Sequence, residues 1–182
     1  DVLEGTSDVG LVAFPMQRKT LKMEAFRKDR LVVICHPDNP LASEKEIAVA
    51  KLSNQKFVGF EPDIPTRKAI DKIFREASIE IHTVMEFDNI ETVKRAVEID
   101  AGIAIDPKAT VDQEVANGSL VAIEFKSKPH YRPLGIIYKQ GRVLSPAMKR
   151  FLKTLNEPEQ EPDPLQIKKI SKKARVALNK AP

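Results

Sequence analysis

The stretch EIHTVMEFDNIETVKRAVEIDAGIAI, residues 80–105, predicts a strand, a helix and a second strand in direct succession. Residues 80–87 alternate apolar and more polar side chains, which is typical of a strand. Asp88 can cap the helix that follows, and Glu91 can reach back to the N–H group of the cap residue, as in a capping box. The short apolar run 101–105 then predicts the second strand, in which Gly102 permits close approach of another backbone segment. The helix carries one apolar stripe, formed by Ile90, Val93, Ala96 and Val97.

The same alternation of strands and helices extends over most of the chain. The run 8–14 is apolar with little alternation and ends at Pro15, which favours a strand covered on both faces, as in a parallel sheet. We therefore expect an α/β fold with mainly parallel sheets. Further strands are predicted at 31–35, 55–60, 120–125 and 132–139, and further helices at 66–77, at 107–118 with Pro107 near the first turn and Gly118 at the end, and at 144–155 with Ser145 as cap and Pro146 at the first position.

The composition limits the classes of protein to which this chain can belong. Hydrophobic residues make up 42% of the 182 residues, which is enough for a core. No apolar run reaches the roughly 18 residues needed to span a bilayer, and the opening residues lack the features of a signal peptide. We therefore expect a soluble, cytoplasmic protein with no membrane partner.

The net charge of +4 is unevenly distributed. Residues 165–182 hold six Lys or Arg and no acid, whereas residues 157–164 hold four acids and no base. We interpret these segments as a basic tail and an acidic, proline-rich linker. The remaining chain is nearly neutral and offers no surface suited to nucleic acid.

The reactive side chains predict neither a metal site nor catalysis. Cys35 is the only cysteine and lies in an apolar run, which indicates a buried thiol and excludes an internal disulfide. The three histidines lie far apart in the sequence without metal-ligand spacing. The sequence also lacks a nucleophile-and-base spacing and a glycine-rich phosphate loop. We predict a protein that is not an enzyme, with no catalytic residues, no metal and no cofactor.

Five segments of the chain resemble one protein family. In order, spacing and style they resemble the effector-binding domain of LysR-type transcriptional regulators, and the resemblance covers about residues 1–155. The segments are DVGLVAF (8–14), LVVICHPDNPLA (31–42), FVGFEPDIPTRKAID (57–71), VMEFDNIETVKRAVEIDAGIAI (84–105) and RPLGIIYKQGRVLSPAMKRFL (132–152).

The resemblance implies a fold like that of the type II periplasmic binding proteins. Two α/β lobes would be joined by two crossover strands and would hold a small-molecule effector between them. The first lobe is expected to be incomplete at its amino end, and the family's winged helix-turn-helix to be absent. The expected boundaries are about 1–31 and 132–155 for the first lobe, about 57–122 for the second, and 31–36 and 120–125 for the crossovers, all within a domain spanning 1–156.

Thr66 and Arg67 are the predicted centre of the ligand site. Ligands of α/β folds bind beyond the carboxyl ends of parallel strands, where helices direct their free N–H groups. Phe60 ends such a strand, and a loop stiffened by two prolines leads to Thr66 at the start of a helix. The helix start, the hydroxyl and the guanidinium together favour a small anion, such as a carboxylate, phosphate or sulfate group. Ala13 and Phe14 are expected to face the same cleft from the other lobe.

Structural alternatives to these assignments stay open. In these alternatives, Thr66 caps the helix and has no contact with a ligand. Arg67 pairs with Asp63 or Asp71, and residues 12–14 pack in the core.

Two aspartates depart from the family pattern. The usual GAGIALLP appears here as EIDAGIAIDP, with Asp100 at a position commonly occupied by glycine and Asp106 at one commonly apolar. Asp106 either alters the ligand or lies in solvent, and we favour solvent.

The function implied by the resemblance is that of a sensor. A small anionic metabolite would bind in the cleft and control a homodimer or tetramer, with DNA contacted only through the missing amino-terminal domain. The alternative is a solute-binding protein of a transport system with the same fold.

Overall fold

The computed structural model describes residues 1–156, within which the chain forms eight strands and four α-helices. The predicted linker and tail, 157–182, lie outside the described residues. The strands are β1 (Gly10–Ala13), β2 (Leu21–Cys35), β3 (Glu46–Ile47), β4 (Lys56–Phe60), β5 (His82–Phe87), β6 (Ala104–Pro107), β7 (Val121–Phe125) and β8 (His130–Lys139). The helices are α1 (Pro65–Glu76), α2 (Ile90–Glu98), α3 (Asp112–Asn117) and α4 (Pro146–Asn156).

The longest strand, β2, organises the larger sheet. From Leu21 to Leu31 it pairs antiparallel with β8, and from Leu31 to Cys35 it pairs antiparallel with β6 and β7. The strand order is β1-β8-β2-β7-β3, with β6 also paired to β2. One strand therefore serves two sets of neighbours along its length.

The pairing in this sheet corrects two expectations. Parallel pairing occurs in it only between β3 and β7, among the residues described, whereas β1 pairs antiparallel with β8. The run 8–14, expected to be a parallel strand covered on both faces, forms the shorter β1, in which no residue is fully buried and Leu11 is exposed. Residues 21–30 carry no strand prediction because six of the ten are charged, and about half of them are exposed in the structure.

The second sheet consists of the parallel pair β4 and β5, in agreement with the predicted strand type. Gly102 packs against its edge. A Cβ atom at Gly102 would lie 2.6 Å from the carbonyl oxygen of Lys56, so a larger residue cannot occupy this position without a backbone shift. The adjacent Ile103 N–H donates a hydrogen bond to the same oxygen at 2.9 Å. The close approach predicted for Gly102 is confirmed.

The core is formed by buried residues of β2, β4, β6, β7, α1 and α2. Residues 31–35 are each at most 1% exposed, and Cys35 is buried as predicted, which raises the pKa of its thiol to about 11. Phe57 of β4 and Phe74 of α1 stack edge to face with ring centroids 5.3 Å apart, a contact that contributes about 1 kcal/mol beyond its area burial. The helix stripes are confirmed by the buried Ile70, Ile73 and Phe74 of α1 and Val93, Ala96 and Val97 of α2.

Two helix boundaries differ from the predicted ones. Asn89, rather than Asp88, caps α2, because its side-chain oxygen accepts a hydrogen bond from the Thr92 N–H at 2.9 Å. Pro107 ends β6 instead of opening α3, which begins at Asp112 after a short 3₁₀ turn. The end of α3 agrees with the prediction, since Gly118 adopts a left-handed conformation with φ of 75°.

The described residues divide into two units, Asp1–Arg142 and 143–156. The first unit contains all eight strands and α1–α3. The described part of the second is α4, which Ser145 caps as predicted, since its hydroxyl accepts from the Met148 N–H at 3.2 Å. Among residues 1–156, no helix is both long enough and apolar enough to cross a membrane.

Candidate functional site

An open cleft of about 820 Å³ lies in the first unit, lined by residues of β1, β4 and β8 and by the starts of α1 and α2. Its volume falls within the range of small-molecule sites, roughly 300–1,000 Å³. Apolar side chains make up most of the lining. The polar and charged lining residues include Arg18, Thr66, Asn89 and Arg132.

Four of the five residues proposed from the sequence line this cleft. Ala13 and Phe14 come from the end of β1, Phe60 from the end of β4, and Thr66 from the first turn of α1. Arg67 is not among the lining residues, because its guanidinium is paired elsewhere. Ligand binding by any of them stays a prediction.

Thr66 is a nearly buried polar residue in the wall of the cleft. The residue is 3% exposed and lies in the first turn of α1. The cap residue of α1 is Ile64, whose side chain cannot accept a hydrogen bond, so the first N–H groups of the helix lack a side-chain cap. Thr66 therefore does not perform the capping role that was its structural alternative.

Arg67 supports the loop that carries Thr66. Its Nη1 donates to the Phe60 carbonyl oxygen at 2.6 Å and lies 2.5 Å from Oε1 of Glu86, while its Nε donates to Oδ1 of Asp71 at 2.7 Å. These contacts connect the end of β4, the first turns of α1, and β5. The structural alternative for Arg67, pairing with Asp71, is the arrangement found.

Phe14 reaches the cleft through a strained backbone. Its φ is 50°, in the left-handed region that a bulky residue adopts at a cost of about 1–3 kcal/mol. The Phe14 N–H donates to the Pro133 carbonyl oxygen at 2.8 Å, which holds this conformation. Pro15 follows and packs onto Gly135, where a Cβ atom would lie 2.7 Å from its ring. The bare backbone of Gly135 therefore makes room for the corner that presents Phe14.

Two arginines in the lining have no signal in the sequence. Arg132 of β8 is 12% exposed and forms an ion pair with Asp29 of β2, with Nη2 and Oδ2 2.6 Å apart. Arg18 follows β1 and forms no ion pair within the part of the chain that the structure describes. They lie more than a hundred positions apart in the sequence, so only the antiparallel packing of β1, β8 and β2 brings them to one cleft.

Carboxylates also line the cleft, namely Asp1, Glu4, Asp88 and Glu91. Three of them have local partners. Glu91 lies 3.0 Å from the Lys94 ammonium, Asp88 accepts a hydrogen bond from the Asn89 side chain at 2.7 Å, and Glu4 lies 3.5 Å from the amino group of Asp1. The lining thus carries both signs of charge, and its positive contributions come from Arg18, Arg132 and the two helix starts.

The expectation that Asp106 lies in solvent is wrong. It is fully buried in β6, opposite Val32 of β2. Neither carboxylate oxygen has a hydrogen-bond partner among residues 1–156. Burial raises the pKa of Asp106 to about 7, although nearby Arg132 and Lys94 lower it. The expectation failed because a strand end is exposed only at the rim of a fold, whereas β6 is covered by β2, β4 and α2.

A family model describing the LysR substrate binding domain matches residues 1–158 of this sequence. The chain belongs to this family. The RuBisCO operon transcriptional regulator of Allochromatium vinosum is 33% identical over 144 residues, which is 79% of this chain and 48% of that protein. The regulator of the same name from Acidithiobacillus ferrooxidans is 32% identical over 148 residues, 81% of this chain and 48% of that protein. This LysR domain sequence spans about half the length of the curated relatives it matches.

Solved structures confirm the predicted fold class of this LysR domain. The regulatory domain of Synechocystis CcmR, in complex with 2-PG, superposes with a TM-score of 0.76 at 24% identity over 87% of this chain and 77% of that one. The effector binding domain of QuiR, in complex with shikimate, gives 0.75 at 20% identity over 86% and 73%. The relatives are transcriptional regulators and not enzymes, as predicted, and none of those named is a transport protein.

Proposed function

We propose that this LysR effector-binding domain senses a small molecule with an apolar body and an anionic group, bound in the cleft beside Thr66. The observation that carries the proposal is the position of Thr66, which is 3% exposed, lies at the start of a helix without a side-chain cap and lines a cleft of about 820 Å³. Phe60, Ala13 and Phe14 supply the apolar contacts. Arg67 lies outside the cleft lining and is not proposed as a ligand contact.

The preference for an anion follows from the start of α1. A helix N-terminus carries roughly half a positive charge, and the first N–H groups of α1 lack a side-chain cap. Arg18 and Arg132 add cationic groups to the same lining. The carboxylates of the lining limit how many anionic groups the ligand can carry, which favours one such group over several.

The sensing step requires two arrangements of the domain with different ligand affinities. We infer two lobes, one holding β1, β8 and the first part of β2, the other holding β4–β6 and α1–α3, with β2 and β7 as crossovers. A ligand touching Phe14 from one lobe and Thr66 from the other would favour the closed arrangement. In the complete regulator, this change would act through a homodimer or tetramer on a separate DNA-binding domain.

The test is a thermal-shift screen of small carboxylates and organic phosphates on the 182-residue chain, followed by calorimetric titration of the best ligand. Thr66→Ala should weaken binding about 10- to 150-fold, the equivalent of one hydrogen bond to a charged group, and Thr66→Ser should restore most of the affinity. Thr20→Ala is the control, because Thr20 is exposed and lies outside the cleft lining. Equal affinity of Thr66→Ala and the parent chain would refute the assignment.

A further inference from the structure

Asp106 is a buried carboxyl group that the proposed binding site does not use. It lies in the part of β6 that pairs with β2, opposite Val32, where β2 changes partner from β8 to β6 and β7. Its exposed fraction is 0%, and both oxygens lack a hydrogen-bond partner among residues 1–156. An ionised carboxylate in such a position loses its hydration without compensation, so the site favours the neutral acid.

The charged groups that act on Asp106 come from the two elements beside the cleft. Arg132 of β8 and Lys94 of α2 stabilise its ionised form, and Glu91 of α2 destabilises it. Both cations are already engaged, Arg132 with Asp29 at 2.6 Å and Lys94 with Glu114 at 2.9 Å. Their attraction therefore offsets only part of the cost of burial, and the pKa of Asp106 stays near 7.

Two of these groups also line the cleft, namely Arg132 and Glu91. The cleft and the buried carboxyl thus share the field of the same arginine. An anion that enters the cleft brings a like charge toward Asp106 and competes for the potential of Arg132. Both effects favour the protonated form of Asp106.

We propose that Asp106 is a proton-binding site through which anion occupancy of the cleft is linked to pH, an inference that rests on the function proposed above. When the anion binds, the Asp106 carboxylate takes one proton from solvent and becomes a neutral carboxylic acid. Linkage is reciprocal, so protonation of Asp106 must tighten anion binding by the same factor. The domain then binds its anion more tightly on the acid side of neutrality than on the alkaline side.

The first part of the test needs no ligand. The midpoint of Asp106 is measured by ¹³C NMR of the 182-residue chain labelled at the aspartate side-chain carboxyl carbons, between about pH 4 and pH 8.5. One resonance should titrate near neutrality, and it should be missing from the spectrum of Asp106→Asn. If that variant does not fold, Asp106→Leu, which supplies the apolar side chain the site otherwise favours, identifies the resonance. A midpoint near that of an ordinary aspartate overturns the proposal.

The second part repeats the titration in sodium sulfate and in sodium chloride at equal ionic strength. Sulfate is a suitable probe because it is a dianion that does not itself titrate over this range. The midpoint should rise by about half to one unit in sulfate, which corresponds to roughly three- to tenfold tighter anion binding below the midpoint than above it. Arg18→Gln, which removes a cation from the lining, should diminish the rise.

The outcomes separate the two proposals. A neutral midpoint that sulfate does not move overturns the link between Asp106 and the cleft. A rise of the same size in Arg18→Gln also overturns it, because the sulfate would then be acting elsewhere. The proposed effector site is judged independently by the affinity of Thr66→Ala.

Discussion

Arg67 holds in place the loop that leads to Thr66 in the wall of the cleft. Its guanidinium engages the Phe60 carbonyl oxygen and the carboxylates of Asp71 and Glu86. The loop from Phe60 to Thr66 contains two prolines, which limit its conformations before any ligand arrives. The arginine then fixes both ends of this loop to one another and to β5.

Replacing Arg67 with glutamine should lower the free energy of unfolding by about 1–2 kcal/mol, because a backbone carbonyl loses its donor and two carboxylates lose their shared cation. Asp71 and Glu86 are themselves partly exposed, which limits the loss. Urea unfolding measures the change. Arg75→Gln is the matched control on the same helix, since Arg75 is exposed and makes no ion pair among the described residues. Equal losses in both variants would contradict the role assigned to Arg67.

At the scale of the element, the start of α2 borders the cleft through Asp88, Asn89, Ile90 and Glu91. Asn89 adopts an extended conformation with φ of −138° before the first helical residue. Its side-chain oxygen accepts from both the backbone N–H and the hydroxyl of Thr92, each at 2.9 Å. This cap sets the direction in which the helix enters the wall of the cleft.

Asn89→Ala should reduce stability by about 1 kcal/mol, the usual loss for an N-cap, whereas Asp88→Ala should change it by less than about 0.5 kcal/mol. Both variants are compared by thermal and urea unfolding. The pair discriminates between the cap seen in the structure and the one predicted from the sequence. A larger loss in Asp88→Ala than in Asn89→Ala would favour Asp88, the cap predicted from the sequence.

At the scale of the whole molecule, carboxylates in ion pairs should determine how far the pH can fall before the fold loses stability. The Ser119 hydroxyl lowers the pKa of Glu98, and the Lys94 ammonium lowers the pKa of Glu114. These bonds connect α2 to α3 and to Ser119, two residues before β7. A carboxyl group whose pKa is lower in the folded than in the unfolded chain stabilises the fold above its unfolded value, and that contribution disappears as pH falls through its folded value.

We therefore expect the free energy of unfolding to decline as pH falls below the ordinary glutamate pKa of 4.5. Glu114→Gln should lower stability at neutral pH and flatten this decline. Urea unfolding at a series of pH values provides the measurement. Glu80→Gln, which alters an exposed glutamate, serves as the control and should leave the profile unchanged. If the free energy of unfolding of Glu114→Gln declined as steeply at acid pH as that of the parent chain, the Lys94–Glu114 pair would not contribute to the decline.

The alternation of apolar runs, helix stripes and turn residues in the sequence determined the α/β class, the strands β4–β8 to within a few residues, all four helices and the close approach at Gly102. These features depend on side chains near one another in the chain, so local periodicity is sufficient to predict them. The pattern also marks the strand ends and the helix start at which four of the five proposed cleft residues lie, but the expectation that these ends face one cleft came from the resemblance to the LysR family.

Only the tertiary structure decided the antiparallel course of β2, the environment of Asp106 and the meeting of Arg18 with Arg132. Each of these depends on partners far away in the sequence. The charged first half of β2 becomes a strand because β8 lies beside it, and Asp106 is buried because β2 and α2 cover β6. Burial and pairing energies belong to the assembled fold, and a local pattern does not contain the identity of the distant partner.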